Sequence, residues 1–84
     1  MGYRIDFVPR ARHELAKLPK IAAERIACAI DDLAYEPRPH GCKKLVGQDA
    51  WRIRVGDYRV IYQIRDDRLL VLVVRIGHRR DIQD

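Results

Sequence analysis

Arg52, Arg54 and Arg59 carry the chemistry most easily read from this chain. Arg52 and Arg54 are two residues apart in an alternating segment, and Arg59 comes just past the Gly56-Asp57 turn signal, after Tyr58. His78, Arg79 and Arg80 come at the end of the next apolar segment. A guanidinium stays charged and offers a planar fork of donors that suits phosphate or carboxylate. A single strand arginine facing water is an ordinary solvated residue. Several on one sheet face repel each other and call for an external anion, so the set is read as a phosphate-binding surface. There is no Cys-His couple, no paired carboxylates in a strand, no glycine-rich phosphate loop and no metal-ligand spacing. Neither a metal nor a cofactor is therefore expected. Of the three histidines, His13 belongs to a helical stretch and His40 to a loop. His78, beside the arginines, is the candidate acid or base.

These side chains need a sheet to hold them. Tyr3-Arg4-Ile5-Asp6-Phe7 alternates with period two, as a half-buried strand does. Pro9 suits the first turn of a helix, and Val8, Ala11, Leu15 and Leu18 form one stripe. Pro19 ends that helix. A second helix is predicted from about Ile21 to Ala34, with Ala22, Ile26, Ile30 and Leu33 on its apolar side and Cys28 on its polar side. The stretch Glu36-Pro37-Arg38-Pro39-His40-Gly41 reads as a loop. Beyond it the period returns to two. Trp51, Ile53 and Val55 alternate, Gly56-Asp57 is a hairpin turn, and Tyr58, Val60, Tyr62 and Ile64 alternate again. Asp66-Asp67 turns the chain into the near-continuous apolar run Leu69 to Ile76, as in a central strand. The expectation is an α+β fold with order β-α-α-β-β-β. Four strands would form an antiparallel-dominated sheet, the first strand beside the last, with the helical hairpin on one face.

Composition limits the alternatives. Eighty-four residues make a single domain, 1–84, with a core of marginal stability. At 48% hydrophobic and 35% charged, the chain is neither disordered nor a membrane protein. The longest apolar run, Leu69 to Val74, is far short of the roughly 20 residues of a membrane span. Two cysteines, Cys28 and Cys42, make no disulfide framework, so a cytoplasmic location with reduced thiols is expected. The net charge is +5 and unevenly placed: residues 43–84 hold ten basic and six acidic side chains, and eight of the ten are arginines. A basic half of this kind favours a polyanionic or acidic partner.

The segments Trp51 to Tyr62 (WRIRVGDYRVIY) and Val73 to Ile82 (VVRIGHRRDI) resemble the RelE/ParE toxin superfamily. Leu15-Ala16-Lys17-Leu18-Pro19, Pro37-Arg38-Pro39 and Lys43-Lys44-Leu45 fit the same pattern in the right order. The resemblance spans Tyr3 to Ile82 and implies the toxin half of a type II toxin–antitoxin pair, acting on mRNA in the ribosomal A site. By that similarity Arg59 and Arg79 hold the scissile phosphate. Arg52, Arg54 and Arg80, with Lys43 and Lys44, contact the RNA. It also implies a cognate antitoxin as protein partner, and operator DNA reached only through that antitoxin. Relatives commonly carry a tyrosine where this chain has Gln83. Glutamine has no titrating proton and a poor stacking face, so His78 or pure positioning must supply what that tyrosine does. Two other readings keep the fold: a ParE-like poison of DNA gyrase, and a binding module acting only with its antitoxin. Arg59 and Arg79 favour the nuclease, and Gln83 weighs against it.

Overall fold

A computed structural model describes residues 2–82. The elements are β1 (Arg4–Phe7), α1 (Pro9–Ala16), α2 (Lys20–Asp32), β2 (Lys43–Lys44), β3 (Trp51–Val55), β4 (Tyr58–Arg65) and β5 (Leu70–His78). A 3₁₀ turn, Asp66–Arg68, joins β4 to β5. The α+β class and the order of the long elements follow the sequence pattern. Two features depart from it. The sheet has five strands, in the order β1-β5-β4-β3-β2, because Lys43 and Lys44 add a short edge strand opposite Arg52 and Trp51. The β1–β5 pair is parallel, Arg4 opposite Leu70 through Phe7 opposite Val73, whereas the other pairs are antiparallel.

Both helices cover one face. Ala11, Ile26, Ile30 and Leu33 meet Ile53, Val60, Tyr62, Ile64, Val71, Val73 and Ile76 in the main core. That inward set repeats every second residue until Val73, and then shifts by one at a bulge where Ile61 faces Arg75 and Tyr62 faces Val73. The bulge sends Val74 to the other face. β1 stops pairing at Phe7, and α1 takes over beside β5. There the Glu14 carboxylate accepts hydrogen bonds from the Ile76 N–H at 2.9 Å and the Arg75 Nε–H at 3.1 Å. A backbone donor at the strand edge is thereby satisfied.

The opposite face is not bare. Leu45, Ala50, Ile61 and Ile82 form a second apolar cluster with Val74 packed against it. Among the described residues, no helix is long and apolar enough to cross a membrane.

Candidate functional site

The β3–β4 hairpin creates the site. Gly56 adopts φ +60° at the first of two central turn positions, as a type II′ turn requires. The tight turn sets Arg54 directly opposite Arg59 and Val55 opposite Tyr58. On the other side of β4, Arg59 faces Gly77 and Tyr58 faces His78. Gly77 has a packing reason to be glycine: a Cβ there would lie 3.0 Å from Ile82 Cδ1. Its bare backbone lets the segment after β5 fold back, with Ile82 buried. That return delivers the Ile82 carbonyl to Arg59 Nη1 at 3.1 Å. The Arg79 N–H donates to the Asp57 carbonyl at 2.8 Å, pinning the same segment to the hairpin tip.

Arg54, Arg59 and Arg79 consequently line one polar cleft of about 270 Å³, closed by Gly56 and Tyr58. The Asp57 carboxylate lies 3.9 Å from Arg79 Nε. Arg54 and Arg79 are exposed and Arg59 is half-buried. Three guanidiniums around one concavity can hold several oxygens of a single phosphate, at fixed positions and without reorganisation.

The other sequence candidates lie elsewhere. Arg52 was expected in an open row with Arg54, but it is only 4% exposed. It stands across from Ile61, a member of the second apolar cluster that Leu45, Ala50 and Ile82 also build. Its guanidinium belongs to the interior and not to an RNA-facing surface. Lys43 shares its face with Arg52, while Lys44 faces with Trp51 and donates to the Gln48 carbonyl at 3.0 Å. Both lysines are exposed at the start of β3, away from the cleft at its end. Arg80 is exposed, and its N–H donates to His78 Nδ1 at 3.2 Å. His78 sits on Tyr58's side of the sheet, their rings edge-on with centroids 5.6 Å apart, and it does not line the cleft. Gln83 lies outside the described residues.

Sequence reasoning missed Tyr58 as a cleft wall. Its place between the turn and Arg59 was the available signal. It also missed the clasp at the other end of the sheet. There Arg38 donates to both oxygens of Asp66, at 3.4 and 2.9 Å, and stacks 5.1 Å from the Trp51 ring centroid. Tyr3 donates its O–H to Asp66 at 2.6 Å. These hydrogen bonds, Arg38's first, hold the Asp66 carboxyl below its ordinary pKa, and the bond to Asp66 raises that of Tyr3.

Taken together, the fold and cleft define a small α+β domain with an arginine-lined, anion-suited concavity at one end of its sheet. The model for the ParE toxin of type II toxin–antitoxin systems matches residues 5–83, and the chain belongs to that family. It is 37% identical over 86 residues to toxin RelG of Mycobacterium tuberculosis, covering 98% of this chain and 97% of that protein. With the mRNA interferase toxin RelE of Escherichia coli it shares 30% identity over 81 residues, covering 94% and 85%. A chain of the toxin–antitoxin complex RelBE2 of Mycobacterium tuberculosis superposes with a TM-score of 0.83 at 30% identity, covering 93% of this chain and 99% of that one. The chain is thus a RelE-type member of a toxin family.

Proposed function

We propose that this toxin is a ribosome-dependent endoribonuclease that cuts mRNA in the A site and so stops translation. The observation that carries the reading is the convergence of Arg54, Arg59 and Arg79 on one cleft. In the reaction the ribose 2′-oxygen attacks its own 3′-phosphate, its proton passing to solvent, while the 5′-oxygen leaves and takes a proton from solvent, giving a cyclic phosphate and a free 5′-hydroxyl. The pentacoordinate state gains negative charge on its equatorial oxygens. Arg59 and Arg79 neutralise that charge, and Arg54 anchors the neighbouring backbone. Arg80, Lys43 and Lys44, all exposed, add longer-range attraction to RNA. His78 serves chiefly to brace Tyr58, so catalysis leans on alignment and charge. The resemblance of this chain to proteins found with antitoxins supports a cognate antitoxin. That partner would lay an acid-bearing segment over the arginines and link the toxin to operator DNA. A cytoplasmic site of action accords with this target.

The family model is named for ParE, which favours a second reading: binding and poisoning of DNA gyrase. Primer extension on a translated mRNA, with purified ribosomes and a ribosome-free control, decides between them alongside a gyrase supercoiling assay. New cuts that need ribosomes are expected. Uncut message with blocked supercoiling would replace the nuclease by the gyrase poison.

A further inference from the structure

Next to the arginine cleft lies a second hollow of about 250 Å³, between α2 and the hairpin. Gly56 and Tyr58 line both, so the two adjoin across the hairpin tip. Ile21, Ala22 and Val55 give the hollow an apolar wall, and Tyr58 gives it an aromatic one. Arg25 and Asp57 put a donor and an acceptor at its rim. The Arg25 guanidinium lies against the hairpin, 3.6 Å from where a Cβ of Gly56 would be. Among the described residues Arg25 forms no ion pair, and Tyr58 is steadied by the His78 ring.

This combination matches one class of ligand. Drug-sized sites run to about 300–1,000 Å³, so a hollow of this size takes one ring system. Apolar walls with an aromatic face, and a donor and an acceptor at the edge, are how single-stranded bases are held. A base flanking a phosphate seated among Arg54, Arg59 and Arg79 has this hollow beside it. We infer that the hollow between α2 and the β3–β4 hairpin binds one nucleobase of the RNA, with Tyr58 as its stacking surface and Arg25 and Asp57 at its edge. The inference rests on the RNA-cleaving reading.

The test uses the whole chain and a 2′-O-methyl RNA trinucleotide, uncleavable, with 2-aminopurine as its central base. Stacking in the hollow should quench the fluorescence of the probe. Tyr58→Leu should raise Kd on the order of ten- to a hundredfold and abolish the quench, while Tyr58→Phe keeps both. Ala22→Phe fills the hollow from the opposite wall and should act like Tyr58→Leu; it carries the test if Tyr58→Leu fails to fold by circular dichroism. Arg59→Ala should weaken binding but leave the quench intact at saturation. A quench that survives both Ala22→Phe and Tyr58→Leu, with Arg59→Ala still weakening binding, overturns the base site and spares the cleft. The converse pattern overturns the cleft and keeps the base site. No quench with the wild-type chain overturns the base site whatever the ribosome assay shows.

Discussion

The two ends of the sheet use arginine in opposite ways. At the end holding the β4–β5 turn, Arg38 is gripped by Asp66 and Arg65 by Asp49, and Tyr3 completes the clasp. At the hairpin end, Arg54, Arg59 and Arg79 gather around one cleft, with Asp57 as a distant counter-charge to Arg79. The difference lies in what the guanidiniums face. Where an acid is within hydrogen-bond reach, the guanidinium joins β1, the 36–42 loop and the turn into one unit. Where it stands exposed at the cleft, as Arg54 and Arg79 do, the same side chain can meet an anion from outside. Clustered charge thus marks the cleft better than arginine content does.

The largest effect expected from breaking this contrast is on catalysis. Arg79→Ala and Arg59→Ala should each slow ribosome-dependent cleavage about 10²–10³-fold, read by primer extension, because each removes a fixed donor to the developing charge. Unchanged rates in the double variant would reduce the cleft to a surface feature. Arg54→Glu would make the hairpin end resemble the other, placing a carboxylate opposite Arg59. Cleavage should fall at least about tenfold, the cost of losing roughly one charge-assisted hydrogen bond. Thermal stability should hold or rise, since a like-charged cross-strand pair becomes an opposite one worth up to about 1 kcal/mol. A variant that both unfolds and stops cutting would show Arg54 to be structural.

Smaller effects belong to the clasped end. Tyr62 is fully buried and donates its O–H to the Pro37 carbonyl at 2.7 Å, while burial pushes its pKa up. Tyr62→Phe should cost about 1 kcal/mol in urea unfolding, with no change in cleavage per folded molecule. Asp66→Asn should produce the least loss, and one that depends on pH. The carboxyl's pKa is depressed in the folded chain, so its contribution is fully present above the ordinary aspartate value and fades as pH falls through the lower, folded one. The gap in unfolding midpoint between wild type and Asp66→Asn should therefore be seen at pH 7 and close below about pH 4. A gap that persists in acid would trace it to packing instead.

Much of this was legible from the residues. Period-two alternation from Trp51 to Ile64 marked β3 and β4, and the spacing of Ala22, Ile26, Ile30 and Leu33 marked the helix face that meets the core. The turn at Gly56-Asp57 brought Arg54 and Arg59 together as expected. What stayed hidden depended on long-range closure. Alternation assigns Arg52 to a face but says nothing of the second apolar cluster that forms there. Two lysines carry no strand signal, and β2 forms because β3 offers them an edge. The parallel sense of β1 arises from the long crossover to β5, through two helices and the three intervening strands, a property of chain path and not of any local pattern.

That crossover has a consequence for when the molecule becomes dangerous. β5 lies between β1 and β4, so the first strand finds its partner only when the last has been made. Pairings so distant in sequence form late and slowly. Arg79 and Ile82, which complete the cleft, lie beyond even β5. A chain in which β5 has not yet formed therefore holds an unfinished sheet and no arginine cleft. The cleft is thus assembled at the last step of sheet closure, when β1 and β4 have both joined β5 and the chain beyond it has folded back.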